Sequence, residues 1–178
     1  DGGACLGDTA LVFSNAVGPS GRVYSFDPVE DNLEVCAFNV AQFALDNVTV
    51  FPAGLSHENV DAPPIRLNAY APGFSSGNAA NHNMVVPLRT LDSMVNSGEI
   101  DGVDFIKLDI EGAELETLVG AKETINTFNP KMALSLYHKP DDFFQIINYI
   151  KHFHPQYKLY INHYTIHREK TVLYCLPS

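Results

Sequence analysis

The sequence predicts a doubly wound α/β fold, that is, a mostly parallel sheet with helices on both faces. Short segments rich in β-branched and aromatic residues alternate with segments whose apolar residues recur at helical spacing. The chain also closes on two strand-like segments around a short polar turn, which is typical of an antiparallel hairpin. With 178 residues, 46% of them hydrophobic, the chain is long enough for a single domain over residues 1–178.

In the first half of the chain, Gly and Pro residues and the spacing of the apolar residues mark where helices and strands begin and end. TALVFSNAV predicts a short helix that GPSG ends, and RVYSFDP predicts a strand that leads into Asp27 and a proline. EDNLEVCAFNVAQFAL predicts a helix, because its apolar residues recur at helical spacing. NVTVFPAGLS predicts a β-branched strand that leaves through Pro and Gly.

In the second half, strands and helices again alternate. MVVPLRTLDSMVNSG predicts a strand and then a helix, and VDFIKLDI predicts a further strand. GAELETLVGAKETI predicts one helix over residues 112–125, with acidic residues in the first turn where the helix dipole favours them. KMALSLYH predicts a strand and PDDFFQIINYIKHF a helix, and YKLYINHY and KTVLYCL predict the closing hairpin around TIHRE.

Residues 56–83 lack periodicity and are rich in Asn, Ala, Pro, Gly and Ser, with one candidate strand at Ile65–Leu67. A segment of this length and composition is typical of a functional loop, an insertion or a lid, and a plain connection is an equal alternative. As a lid, it would cover the substrate.

The net charge narrows the choice of partners. Eleven Lys and Arg residues against 21 Asp and Glu residues give −10, which argues against nucleic acid and against an anionic membrane surface. No apolar run approaches the roughly 20 residues that span a bilayer, so we expect a cytoplasmic protein. The three cysteines are far apart in apolar settings, which predicts buried thiols in a reducing compartment.

The opening of the chain carries the pattern Asp1-x-Gly3-x-Cys5-x-Gly7, here called the opening turn (residues 1–7). A glycine turn after the first strand of a doubly wound sheet lets the backbone approach a nucleoside ligand. An acidic residue about 20 positions further on, at the end of the second strand, accepts hydrogen bonds from ribose, and Asp27 lies 20 residues past Gly7. The strand that should precede the turn is missing, so we expect it upstream of Asp1 and regard the domain as N-terminally incomplete.

Two ligand classes fit this pattern. A dinucleotide requires G-x-G-x-x-G, but Cys5 stands where the middle glycine would be, and Asp8 at the helix start would repel a pyrophosphate. A ligand with an amino group and a sulfonium tolerates Asp8, so the residues favour S-adenosylmethionine over a dinucleotide, which remains the alternative.

Five segments together resemble FkbM-type methyltransferases: DGGACLGDTA, VYSFDPVEDN, TLDSM, VDFIKLDIEGAELETLVGA and LSLYHKPDDFFQIINYI. The resemblance implies a Rossmann-like class I fold with seven strands and a reversed final hairpin. It also implies S-adenosylmethionine-dependent O-methylation of a small-molecule acceptor, a saccharide or a secondary metabolite. Cys5 departs from the Asn or His that is common in the family. A nicotinamide-dependent oxidoreductase and an inactive S-adenosylmethionine-binding module remain the alternatives.

The candidate cofactor-binding residues lie at four turns. They are Asp1, Gly3, Ala4, Cys5, Gly7, Asp8 and Thr9 in and after the opening turn, Asp27, Pro28 and Asn32 at the next strand end, Gly54 and Leu55 after the third strand, and Asp109 and Glu111 after VDFIKL. A generic tight turn is the structural alternative for the opening turn, and helix capping is the alternative for Asp27 and Asn32.

The candidate catalytic residues are Asp109 and His138, each at a strand end. Asp109 would bind the methionine amino group, hold a substrate hydroxyl or act as a base, and Glu111 and Glu114 share these roles or serve the helix dipole. His138 would take a proton from the acceptor hydroxyl, or simply bond to the backbone. We predict no metal site, because the closely spaced histidine pairs have no third ligand placed beside them.

Overall fold

The computed structural model describes residues 1–61, 64–66, 83–167 and 169–178. Its contacts divide the chain into two compact units. The first unit comprises Asp1, Gly3–Gly54 and Asn59–Leu88, and the second comprises Gly2, Leu55–Glu58 and Arg89–Ser178. The single domain expected over residues 1–178 stays a prediction.

The first unit contains two helices and a parallel strand pair. The elements in order are α1 (Asp8–Val17), β1 (Val23–Phe26), α2 (Glu30–Gln42) and β2 (Val48–Phe51). β1 and β2 run parallel in register from Val23–Val48 to Phe26–Phe51. The Phe26 and Phe51 rings stack at a centroid distance of 4.9 Å. Phe26 and Cys36 lie in the core of this unit at 3% and 0% exposure, and the aromatic stack joins β1 to β2.

Two short strand pairs follow. β3 (Gly54–Leu55) pairs with β6 (Leu88–Arg89), and β4 (Pro64–Arg66) pairs antiparallel with β5 (Asn83–Val85). The candidate strand at Ile65–Leu67 coincides with β4 except for Leu67, which lies outside the described residues together with most of the segment expected to act as a lid.

The second unit contains a four-stranded sheet with the order β7-β8-β10-β9. Its elements are α3 (Leu91–Asn96), β7 (Phe105–Leu108), α4 (Glu114–Val119), α5 (Lys122–Phe128), β8 (Lys131–Ser135), α6 (Asp142–Phe153), β9 (Tyr157–His163) and β10 (Thr171–Pro177). β7 and β8 are parallel, and β10 is antiparallel to both β8 and β9. The sheet core is fully apolar where Leu108, Leu134 and Leu173 are at most 1% exposed.

The structure confirms the alternation of strands and helices and the closing hairpin of β9 and β10. The single helix predicted over residues 112–125 is wrong, because the chain forms α4 and α5 with a break after Gly120. The seven-stranded sheet stays a prediction. In the part of the chain that the structure describes, we find no helix with the length and apolar character needed to cross a bilayer.

None of the three cysteines is in a disulfide. Cys36 and Cys175 are buried as predicted, and burial raises the pKa of Cys175 to about 12. The expected burial is wrong for Cys5, which is only partly buried because it lies in the opening turn instead of inside an element.

Gly120 lies where a loop of the second unit passes directly over the end of α4. A Cβ atom at this position would meet the carbonyl oxygen of Ser56 and would lie 3.0 Å from Cα of His57. We expect Gly120→Ala to lower the free energy of unfolding by about 1–3 kcal/mol, because backbone atoms must shift to make room. Gly102→Ala is the control, since its nearest neighbour would be Phe128 at an ordinary 3.6 Å. Urea unfolding of both variants measures the difference, and equal stabilities would contradict the expectation.

His154 makes the stability of the fold depend on pH. Its side chain is fully buried at the end of α6, with Nδ1 2.9 Å from Oδ1 of Asn126. Burial, together with the charge of Lys122, lowers its pKa below the usual 6.5. As the pH drops below about 6.5, His154 becomes protonated in the unfolded chain before it does so in the folded chain, and the free energy of unfolding falls. Above this pH His154 is neutral in both states, and its contribution to stability is constant.

We expect this loss between about pH 7.5 and about pH 5 to be smaller in His154→Gln than in the wild type, as measured by urea unfolding. His152→Gln is the matched control, because His152 is exposed on the same helix. A wild-type slope retained in His154→Gln would show that another group is responsible.

Candidate active site

The opening turn is fastened to the end of β1 by backbone hydrogen bonds within the first unit. The N–H groups of Gly3 and Ala4 both donate to the carbonyl of Phe26, at 2.9 and 3.0 Å, and the N–H of Phe26 donates to the carbonyl of Asp1 at 2.9 Å. Gly3, Cys5 and Gly7 have φ values of 77°, 48° and 85°. Positive φ suits glycine and costs free energy at Cys5, so the turn holds a conformation that its environment must support.

Gly7 is the N-cap residue of α1, and a side chain there would be strained. A Cβ atom would lie 3.0 Å from Sγ of Cys36, on top of the strain from its positive φ. Asp8 is exposed in the first turn of α1, and Oγ1 of Thr9 donates to Oδ2 of Asp1 at 2.8 Å. The opening turn therefore lies against Cys36 of α2, with the exposed Asp8 directly after it.

Asp27 lies at the end of β1, where it is only 4% exposed and its carboxylate accepts three hydrogen bonds. Its Oδ2 accepts from the N–H of Cys5 at 2.9 Å, and its Oδ1 accepts from the N–H of Val29 at 2.9 Å and from Nδ2 of Asn32 at 3.1 Å. A carboxylate offers about four lone-pair directions, so three donors leave room for one more. Val29, not Asp27, is the N-cap residue of α2, and it makes no side-chain cap bond.

The other candidates of this group are less distinctive. Pro28 is partly buried between Asp27 and α2, and Asn32 bonds back to Asp27 from the first turn of that helix. The N–H of Gly54 donates to the carbonyl of Pro87 at 3.0 Å, and Leu55 is buried. The cofactor-binding role expected of Gly54 and Leu55 stays a prediction.

In the second unit, Asp109 follows β7 and is the acceptor for a polar group on each side. Its Oδ1 accepts from Oγ of Ser135 at 2.8 Å and from Oη of Tyr137 at 2.6 Å, and its Oδ2 lies 3.4 Å from Nζ of Lys170. Burial alone would raise the pKa of Asp109, but the bonds from Tyr137 and Ser135 and the charge of Lys170 bring it below its usual value. Asp109 is therefore an ionised, oriented acceptor.

His138 lies among three carboxylates, which together with it form what we call the His138 cluster: Asp109, Glu111 and Glu114. Nδ1 of His138 is 2.8 Å from Oε1 of Glu114, and Nε2 is 3.4 Å from Oδ1 of Asp109 and 3.7 Å from Oε2 of Glu111. Burial lowers the pKa of His138, but the hydrogen bond to Glu114 and the surrounding charges outweigh it and raise the pKa above 6.5. A raised pKa favours the protonated ring, which has no lone pair for a substrate proton.

Glu114 is more than a helix-dipole residue. It is fully buried in the first turn of α4, and its Oε1 also accepts from the N–H of Ile110 at 2.9 Å. Glu111 is half-exposed in a turn where it has φ 57° and Gly112 has φ 96°, and burial is the main cause of its raised pKa. Glu114 therefore ties this turn to His138, whereas Glu111 remains open to solvent.

Sequence reasoning missed four residues around Asp109 and the His138 cluster: Ser135, Tyr137, Asp142 and Lys170. Polar residues at the end of a strand were the available signal for Ser135 and Tyr137. Asp142 resembles an ordinary residue of a first helical turn, and its Oδ2 does accept from the N–H of Lys139 at 2.6 Å. Lys170 gave no signal, because it comes from the hairpin 61 residues away from Asp109.

The fold places the chain in the class of Rossmann-like class I methyltransferases, to which its structural neighbours belong. A crystal structure of an FkbM methyltransferase from Methylobacillus flagellatus KT matches with a TM-score of 0.77 and 27% identity, covering 98% of this chain and 42% of that one. The FkbM methyltransferase domain matches residues 1–163, and the chain belongs to this family. The resemblance stated from the sequence is thereby confirmed.

More distant structures share the fold alone. Fibrillarin from Aeropyrum pernix, with natively bound S-adenosyl-L-methionine, has a TM-score of 0.60 and 13% identity, covering 98% of this chain and 64% of that one. An rRNA methylase from Streptococcus thermophilus has a TM-score of 0.56 and 12% identity, covering 98% and 81%. No curated protein sequence matches the chain.

Proposed function

We propose that the chain carries an S-adenosylmethionine-dependent methyltransferase activity whose acceptor is a hydroxyl of a saccharide or a secondary metabolite. The observation that carries the proposal is the buried carboxylate of Asp27, tied at 2.9 Å to the N–H of Cys5 in the opening turn. Family membership supports the methyl-transfer chemistry. The acceptor class comes from the resemblance, and the net charge of −10 favours a neutral or cationic partner.

The residues of the first unit suit the adenosyl cofactor. The fourth lone-pair direction of Asp27 is available to a ribose hydroxyl. Gly3 and Gly7 put no side chain into the opening turn, and the Asp1 carboxylate, which accepts from Thr9, matches an amino group or a sulfonium in charge. When bound, S-adenosylmethionine would supply a methyl group on a sulfonium sulfur, which is a good leaving group.

In the second unit we assign the acceptor hydroxyl to Asp109. Ser135 and Tyr137 fix Oδ1, so Oδ2 is the atom left to accept a hydrogen bond from a hydroxyl, in competition with Lys170 at 3.4 Å. Orienting the hydroxyl in this way contributes through proximity, an effect worth up to about 7–11 kcal/mol in well-oriented reactions. His138 then positions Asp109 and Glu114 instead of acting as the base.

Binding of S-adenosylhomocysteine and of NAD, each measured by titration calorimetry, tests the cofactor. We expect the first to bind and the second not to. NAD binding without S-adenosylhomocysteine binding would favour the oxidoreductase alternative and overturn the proposal. Formation of S-adenosylhomocysteine in the presence of a panel of neutral saccharides then tests the acceptor, with rRNA as the comparison substrate. Cofactor binding without turnover on any acceptor would favour the inactive binding module.

The role of Asp109 gives a separate prediction. We expect Asp109→Asn to lower kcat by about 100-fold or more, because the amide presents a weaker acceptor to the hydroxyl. S-adenosylhomocysteine affinity should stay at the wild-type value. Glu116→Gln is the control, since Glu116 is half-exposed on α4 and lies 3.9 Å from Lys139. Unchanged turnover in Asp109→Asn would remove Asp109 from the acceptor site.

A further inference from the structure

We propose that Glu114, His138 and Asp142 bind a divalent first-row metal ion such as Mn²⁺ or Zn²⁺. The three residues come from the start of α4, the segment after β8 and the start of α6. Each offers one ligand atom, and these atoms all lie within 4.8 Å of one another. The inference does not depend on the proposed methyl transfer.

The burial of these side chains favours a cation among them, and a bound metal ion would displace the proton of His138. Glu114 is 0% exposed, Asp142 is 3% exposed and the His138 side chain is 8% exposed. Two carboxylates so deeply buried lose their hydration and repel each other unless a positive charge compensates them. The ammonium of Lys139 does not supply that charge directly, because it is directed to Glu116, with Nζ 3.9 Å from Oε1.

An independent observation points to a ligand in this position. Oε1 of Glu114 accepts two bonds, from Ile110 and His138, whereas Oε2 is buried and has no hydrogen-bond partner among the residues that the structure describes. A buried oxygen without a partner destabilises the folded chain, and more so when it is charged. A metal ion bound to Oε2 would remove this cost and leave the bond from the N–H of Ile110 to Oε1 in place.

The donor set selects the kind of metal. One imidazole and two carboxylates suit Mn²⁺, Fe²⁺ or Zn²⁺, whereas Ca²⁺ and Mg²⁺ prefer oxygen ligands throughout. Metal–ligand distances of about 2.0–2.2 Å allow two ligand atoms to be at most about 4.4 Å apart, so small side-chain rotations suffice to close the site. The burial of the three residues indicates that the ion would hold α4, the segment after β8 and α6 together.

Metal content and thermal stability test the proposal. The whole chain is stripped with a chelator and dialysed, Mn²⁺ or Zn²⁺ is added, and the bound metal is measured after gel filtration. We expect about one ion per chain and a Tm higher by several degrees at saturation. Glu114→Gln and Asp142→Asn should each bind at least about 10-fold more weakly, since each loses a charged ligand.

Glu116→Gln is the matched control, because it removes a carboxylate from the exposed side of the same helix and should leave both readouts unchanged. Asp142→Asn keeps an oxygen for the N–H of Lys139, so it preserves the start of α6 if Glu114→Gln fails to fold. The proposal is wrong if no ion remains bound after gel filtration, or if Asp142→Asn binds as tightly as the wild type. In either case a proton on His138 would be the compensating charge.

Discussion

Asp27→Ala is expected to weaken S-adenosylhomocysteine binding by about 10- to 100-fold, since a charge-assisted hydrogen bond contributes about 1.5–3 kcal/mol. The loss has two sources. The ribose would lose its acceptor, and the N–H of Cys5 would lose the partner that fixes the opening turn at 2.9 Å. Titration calorimetry measures the affinity, and circular dichroism reports whether the fold is kept.

Two further variants make the Asp27 result specific. Glu34→Gln removes an exposed carboxylate from α2 and should bind like the wild type. Asn32→Ala removes one of the three donors to Asp27 and should give an intermediate loss. Wild-type affinity in a folded Asp27→Ala protein would rule out Asp27 as the ribose anchor, and with it the main support for the proposed cofactor.

Glu114→Ala is expected to lower the free energy of unfolding by about 3–5 kcal/mol, the usual cost of removing one partner of a buried ion pair. Its carboxylate lies 2.8 Å from Nδ1 of His138 and also accepts from the N–H of Ile110. Alanine would leave both donors buried without this acceptor. Urea unfolding in the presence of a chelator measures this loss apart from any metal contribution.

Glu116→Ala is the control on the same helix. Its carboxylate is 52% exposed and 3.9 Å from Lys139, so the change should stay within about 0.5 kcal/mol, as for other exposed pairs. If Glu114→Ala unfolds at the same urea concentration as this control, the buried pair does not stabilise the second unit.

Local patterns predicted the features that depend on local physics. The 3.6-residue spacing of apolar side chains located α2, and the polar turn TIHRE located the β9–β10 hairpin. The spacing between Gly7 and Asp27 pointed to a carboxylate that the structure places against the opening turn. These inferences succeeded because each signal lies within one or two neighbouring elements.

The features that sequence reasoning missed depend on contacts between distant segments. The break between α4 and α5 occurs where Gly120 lies against the backbone of Ser56. The spacing of apolar residues along the sequence does not indicate such a contact. Lys170 and Tyr137 contact Asp109 from the hairpin and from the segment after β8. Asp142 joins Glu114 and His138 although its own sequence context indicates only the start of a helix.

The partial burial of Cys5 has a practical consequence. Cys36 and Cys175 are enclosed, and burial raises the pKa of both thiols, so a maleimide or a fluorescent reagent would react first at Cys5. A single dye attached there would sit beside Asp27, whose carboxylate accepts from the Cys5 amide. The chain thus contains a native labelling position for following ligand exchange by spectroscopy, without engineering a new thiol.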